Sequence, residues 1–200
     1  ATGVLPVCLG SATRACEMLT DRTKEYVAEL LLGQLTDTQD TTGTVLEERE
    51  VTVSEAQVRD VIAGFVGGYD QIPPMYSALK VNGKKLYELA RAGKEVERQA
   101  RHVDLPVIEI LEIKLPVVKF RVECSKGTYI RSLCADIGEK LGCGGTMQSL
   151  IRTRVGEFRL EDALTLARLQ ELRDTDRLEE ALLPTDCIFA DFPMLHVEEK

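Results

Sequence analysis

The clearest period-two pattern in the chain is Val117–Cys124 (VVKFRVEC), where Val118, Phe120, Val122 and Cys124 alternate with Lys119, Arg121 and Glu123. Such alternation predicts a strand with one face on a core and the other facing water or a ligand. Val107–Leu115 predicts its neighbour, with Pro116 at the join. Glu25–Leu32 (EYVAELLL) predicts a strand ended by Gly33, and Thr44–Val53 and Thr153–Leu160 predict two more. Helical spacing appears at Val58, Val61, Ile62 and Phe65, behind a Ser54/Gln57 capping box and before Gly67-Gly68. Further helices are expected over Lys84–Ala92, closed by Gly93, and over Ile130–Leu141, closed by Gly142. Ser11 is expected to cap a short helix over Ala12–Leu19, and Thr165 to cap one over Thr165–Leu172. Strands and helices mix without regular β-α-β alternation, so the fold class is α+β.

Two hundred residues with 44% apolar content can bury a sizeable core in one large or two small domains. No apolar run approaches the ~18 residues of a membrane span. The opening ATGVLPVCLGSATR has no basic stretch before its apolar run, unlike a signal peptide, and it reads as starting inside a structured segment. The six cysteines form no C-x-x-C pair, which points to reduced thiols rather than zinc ligands, with Cys16, Cys124 and Cys134 core-facing. Thr36–Gly43 (TDTQDTTG) is a loop whose Asp37 and Asp40 lack the glycine and terminal glutamate of a calcium loop. They read as turn-forming residues.

The net charge of −8 is unevenly spread. From Gln71 to Arg131 there are twelve basic and seven acidic residues, so that stretch is +5. From Glu157 to Lys200 the acids outnumber the bases twelve to five. A basic middle beside an acidic tail fits a polyanion contacting one face, and fits an ordinary solvated surface equally well.

Four stretches carry candidate chemistry. In CSKGTYIRSL, the upstream alternation carried forward puts Tyr129 and Arg131 on the polar face with Arg121, roughly 7 Å apart along a strand. An arginine at a strand end beside an aromatic can grip a carboxylate with two hydrogen bonds. A surface arginine beside a half-buried tyrosine fits the same residues. QIPPMYSALKVNGKK offers Tyr76, Ser77 and Lys80, an Asn82-Gly83 turn, then Lys84 and Lys85. That mixture suits a phosphate backbone with unstacked bases, or a plain solvated loop. Tyr26 lies in an aliphatic strand, where a buried tyrosine with a satisfied hydroxyl is the usual case. In SLIRTRVGEF, Leu150 reads as core and Arg152 and Arg154 as surface.

Taken in order, ATGVLPVCLGSATR, KEYVAELLLGQLTDTQDTTG, QIPPMYSALKVNGKKLYELAR, CSKGTYIRSLCADIGEKLGCGG and LIRTRVGEF resemble the TruB family of tRNA pseudouridine synthases over nearly the whole chain. The resemblance implies a pseudouridine synthase fold, a mixed and mostly antiparallel sheet flanked by helices and loops. It implies a catalytic domain over residues 1–188 lacking its N-terminal part, and the start of a PUA-like RNA-binding domain over 189–200. The implied reaction is isomerisation of uridine to pseudouridine in the tRNA T loop (position 55), by base flipping and an aspartate nucleophile. That aspartate would lie just upstream of Ala1. Arg131 would pair with it, and Tyr26 would stack on the flipped uracil and take part in removing the C5 proton. Tyr129 and Leu150 would complete the pocket wall. Tyr76, Ser77, Lys80, Lys84, Lys85 and Arg152 would contact the RNA. No metal or organic cofactor is implied. The partner would be the T stem-loop of tRNA, with no membrane, and the protein a cytoplasmic monomer. Two other readings remain open: a tRNA-binding and folding helper without essential chemistry, and the guide-RNA-dependent relative that works inside a ribonucleoprotein.

Overall fold

A computed structural model describes residues 1–81, 83–189 and 193. In chain order the strands and helices run β1 (Thr2–Gly3), α1 (Cys16–Asp21), β2 (Lys24–Leu32), β3 (Gln34–Thr36), β4 (Val45–Glu48) and α2 (Glu55–Ala63). They continue with β5 (Tyr69–Gln71), β6 (Lys80–Val81), β7 (Lys84–Lys85), α3 (Leu86–Arg91), β8 (Arg101–Val103) and β9 (Val107–Lys114). The last are β10 (Val117–Cys124), α4 (Ile130–Lys140), β11 (Gly145–Val155), β12 (Phe158–Arg159) and α5 (Leu166–Asp174). Six strands form the main sheet, in the order β1-β11-β2-β10-β9 with β12 paired to β11. Only the β1–β11 pair is parallel. The expected α+β, mostly antiparallel sheet is what the chain forms.

Alternation along β2 and β10 sets the layers. Ala28, Leu30, Val118, Phe120 and Val122 are fully buried on one sheet face. Helix α4 covers that face with Leu133, Cys134 and Ile137, and α2 adds Val58 and Ile62, followed by Phe65 just past its end. Each large apolar side chain removed from water in this way contributes about 1.5–3 kcal/mol before entropy is counted. The opposite face is wet and ionic: Arg121 reaches Glu25 at 2.8 Å, Glu109 at 2.8 Å and Glu123 at 3.3 Å. Helix α4 approaches β11 unusually closely, because a Cβ at Gly138 would stand 2.2 Å from the Gly145 nitrogen. Two glycines thus let the helix settle directly on the strand backbone.

Several local expectations are corrected. Ser11 caps nothing; residues Gly10–Ala15 form a 3-10 turn leading into α1, with Leu9 before it. The strand expected over Thr44–Val53 is only β4, after which Val51 and Val53 pack against the core as irregular chain. The strand expected at Thr153 begins at Gly145, because β11 carries two register shifts that break its alternation. Cys16 is exposed, whereas Cys124, Cys134 and Cys143 are buried; all six thiols are free. The Ser54/Gln57 capping box forms, and Thr165 caps α5 by accepting from the Arg168 N–H. No described helix is long and apolar enough to cross a membrane. Asn82 and nearly all of 189–200, where a second domain was expected to start, lie outside the described residues.

Candidate active site

The Gly127 turn decides where Arg131 goes. Gly127 sits at φ +82°, a conformation that favours glycine. Thr128 closes the turn by donating its hydroxyl to the Ser125 carbonyl at 2.9 Å. Strand β10 therefore stops at Cys124, Tyr129 becomes the N-cap residue of α4, and Arg131 is the second residue of that helix. This corrects the expectation that Tyr129 and Arg131 continue the polar strand face with Arg121. Arg121 belongs to the ion network on the far side of the sheet.

A cation in the first turn of a helix opposes the helix dipole, at a cost of about 0.3–1 kcal/mol. The first turn of α4 contains no acid to offset it. The compensation comes from elsewhere. Arg131 Nη1 lies 3.5 Å from the Asp40 carboxylate, and Nη2 donates to the Tyr76 carbonyl. Both members of the ion pair are about four-fifths buried, with side chains 21% and 18% exposed. A paired arginine placed against the local rule is a candidate functional position.

Asp40 is held as firmly as its partner. Its Oδ1 accepts from the Thr42 N–H and the Thr38 hydroxyl, both at 3.0 Å, and from the Thr42 hydroxyl. Its carbonyl accepts from Thr36 Oγ1, which in turn meets Thr146 Oγ1 at 2.9 Å inside the core. The preceding residue, Gln39, sits at φ +63°, pinned by the Ser132 hydroxyl at 2.7 Å. Strained backbone held by several tertiary bonds is typical of a functional loop. Burial alone would raise the Asp40 carboxyl, but hydrogen bonds from Thr42 and Thr38 and the nearby Arg131 charge outweigh it, and the carboxyl titrates below its ordinary value. Asp40 is the residue the sequence reading missed. It was read as a turn former, and it is one, through Oδ1; Oδ2 does something else.

Arg131 rises from the helix that covers the sheet face to which Tyr26, Met147 and Leu150 belong; all three pack against the same core. Tyr26 lies opposite Arg152 in the β2–β11 ladder, and Leu150 lies opposite Ala28. Tyr26 is half-buried, and burial pushes its phenol above its ordinary value. Arg152 Nε donates to the Val4 carbonyl at 2.7 Å. The start of the chain, the strand tyrosine and this arginine thus form one contact set. Arg152, read as surface, is half-buried.

The remaining candidates divide. Tyr129 lines a cavity of about 310 Å³ with Gln71, Leu79, Arg101 and Lys126. Lys80 and Lys84 are exposed on the β6–β7 hairpin. Lys85 is half-buried, with Nζ 3.2 Å from the Tyr87 hydroxyl and 5.4 Å from its ring centre. Tyr76 is half-buried and contributes its carbonyl to Arg131. Ser77 is only 4% exposed, so its hydroxyl is not presented to solvent in this conformation. Among the described residues, no three His, Cys, Asp or Glu side chains are grouped to hold a metal ion.

Comparison with known proteins bears on this site. The family model described as TruB family pseudouridylate synthase (N terminal domain) matches residues 1–130, and tRNA pseudouridylate synthase B C-terminal domain matches 131–190. The two matches meet at the start of α4, yet strands from both sides build the one main sheet. A tRNA pseudouridine synthase B of Alkaliphilus oremlandii is 51% identical over 199 residues, covering 100% of this chain and 64% of the relative. One of Clostridium tetani is 45% identical over 200 residues, covering 100% of this chain and 68% of the relative. The chain thus spans about two thirds of the length of these relatives. Among solved structures, a Cbf5-Nop10-Gar1 complex matches with a TM-score of 0.71 at 32% identity, over 93% of this chain and 49% of that one. An archaeal box H/ACA sRNP Nop10-Cbf5 complex gives 0.66 at 30%, over 93% and 48%.

Proposed function

The chain belongs to the TruB family of pseudouridylate synthases, and on that premise we propose that its full-length protein isomerises uridine to pseudouridine in the T loop of tRNA, at position 55. The observation that carries this is the Arg131–Asp40 pair, set at a helix start over the sheet face that Tyr26 and Leu150 share. A guanidinium has five N–H donors in a planar fork. Among the described residues Asp40 and the Tyr76 carbonyl take two of them. The others are available to a second carboxylate, the nucleophile, supplied from outside residues 1–200. Its negative charge would be stabilised by Arg131, while Asp40 holds the arginine in place. The reaction then needs no metal or organic cofactor: the carboxylate attacks and forms a bond to the substrate, the N-glycosidic bond breaks, the uracil turns and rejoins through C5, the carboxylate–substrate bond breaks to free the nucleophile, and the C5 proton is lost while N1 gains one.

Tyr26 and Leu150 would pack on the extruded base, with Tyr129 completing the wall. A phenol raised by burial stays protonated at neutral pH. Tyr26 would therefore act in C5 deprotonation only as a relay, passing its own proton to water or to the uracil N1 as it takes the other. Flipping a base costs a few kcal/mol of unstacking. Phosphate contacts from Lys80, Lys84 and their neighbours would offset that cost. The segment 189–200 would begin a C-terminal RNA-binding unit, and the protein would act as a cytoplasmic monomer. The stand-alone reading is favoured over the guide-RNA-dependent one because the relatives named tRNA pseudouridine synthase B reach 51% identity, against 32% for the Cbf5 chain.

The test is incubation of the full-length protein with a T stem-loop transcript, followed by nuclease digestion and nucleoside chromatography. Pseudouridine at one uridine is expected. Tight binding with no pseudouridine would favour the folding-helper reading instead.

A further inference from the structure

Gln71 is a polar residue only 1% exposed. Every polar atom of its side chain is used. The Tyr129 N–H donates to Gln71 Oε1 at 2.8 Å. Gln71 Nε2 donates to the Tyr129 carbonyl at 3.0 Å and to the Tyr69 hydroxyl at 2.7 Å. Tyr69 then donates to the Asp136 carboxylate at 2.7 Å, two turns along α4. One side chain thus holds both backbone groups of the N-cap residue of α4, and is braced through Tyr69 against the middle of the same helix.

This matters because α4 has no side-chain cap of its own. A helix start without a cap leaves its first N–H groups unpartnered and tends to fray. Arg131 is two residues past Tyr129, so fraying or rotation there would move the guanidinium directly. The same chain segment returns to the site five residues later, where the Tyr76 carbonyl accepts from Arg131. Pro73 and Pro74, both buried, stiffen the span between. Residues 71–76 therefore lie as a strap across the start of α4, fastened to Tyr129 at one end and to Arg131 at the other.

We propose that Gln71 is a positioning residue for Arg131, acting through the backbone of Tyr129, so that the strap presenting Tyr76 also sets the arginine's aim. This rests on Arg131 serving the isomerisation described above, and it has a readout that does not.

The experiment uses three variants of the full-length protein. Gln71→Met keeps the volume and loses every bond. Gln71→Glu keeps the acceptor for the Tyr129 N–H and loses the donor to its carbonyl. Tyr69→Phe removes only the brace. Misplacing a catalytic group by about an ångström can cost about 100-fold. Gln71→Met should therefore lower the single-turnover rate constant on a T stem-loop transcript by about that factor, with Kd near parental and measured well below its melting temperature. Gln71→Glu should fall between, and Tyr69→Phe should lose least. In ¹⁵N-labelled protein without RNA, the Arg131 Nε–Hε resonance, assigned through Arg131→Lys, should shift or broaden in Gln71→Met. A parental rate constant together with an unmoved resonance would overturn the positioning role, even if the melting temperature fell. Should Gln71→Met fail to fold, the same two readouts on Gln71→Glu decide it. If the parental protein forms no pseudouridine, the functional reading has failed, and the resonance still tests whether Gln71 places Arg131.

Discussion

Asp40→Asn separates the two jobs of one carboxylate. Oδ1 serves the turn through Thr38 and Thr42, and Oδ2 faces Arg131 at 3.5 Å. An amide cannot do both. With its oxygen toward the threonines, its NH₂ meets the guanidinium, donor against donor; flipped, it confronts the Thr42 N–H. At 3.5 Å and an effective dielectric near 20, the gross attraction lost is about 5 kcal/mol. Most of that is offset by the desolvation the pair already suffers, so the net loss is about 1–3 kcal/mol. For a chain this long, the melting temperature should fall by about 2–10 °C at neutral pH. The pH dependence is fixed by the direction of the Asp40 shift. Its carboxyl titrates lower when folded, despite burial, because hydrogen bonds from Thr42 and Thr38 and the Arg131 charge favour the anion. Its stabilisation is therefore complete above the unfolded value of about 4 and is lost as pH falls through the lower folded value. Thermal unfolding of parent and variant, followed by circular dichroism at neutral pH and near pH ~3, should show a difference that shrinks in acid. Equal melting temperatures at neutral pH, or an equal gap at both, would refute the pairing.

Tyr26→Phe keeps the packing and loses the hydroxyl; RNA binding should hold while turnover in the full-length protein drops by at least about 100-fold, and near-parental turnover would remove Tyr26 from the proton relay. Charge reversal at Lys80 or Lys84 should weaken RNA binding and lower the slope of log K against log salt by about one per residue; an unchanged slope would put the RNA on another face.

Much of the scaffold was legible because its pattern is local. Strand β10 is buried on one face along its whole length, so its alternation is unbroken. The α2 cap is a reciprocal bond between residues three apart. Strand β11 was half hidden for the opposite reason: its register shifts reset the period twice, and its first residues are chosen for contact with α4 rather than for strand propensity. The site divides in the same way. Arg131, Tyr26 and Leu150 could be named from motifs, but the Gly127 turn, which converts a strand continuation into a helix start, could not be placed from alternation. Asp40 and Gln71 were invisible as site residues because their decisive partners lie 91 and 58 positions away. A turn aspartate and a loop glutamine carry no local sign of what they will meet.

The central claim is that Arg131 serves the chemistry rather than the grip on RNA. It is tested most directly by Arg131→Ala in the full-length protein, comparing the single-turnover rate constant for pseudouridine formation with the Kd for the same T stem-loop transcript. The account predicts a rate at least about 1,000-fold slower with Kd close to parental. Near-parental turnover, or a loss of rate fully explained by weaker binding, would contradict it.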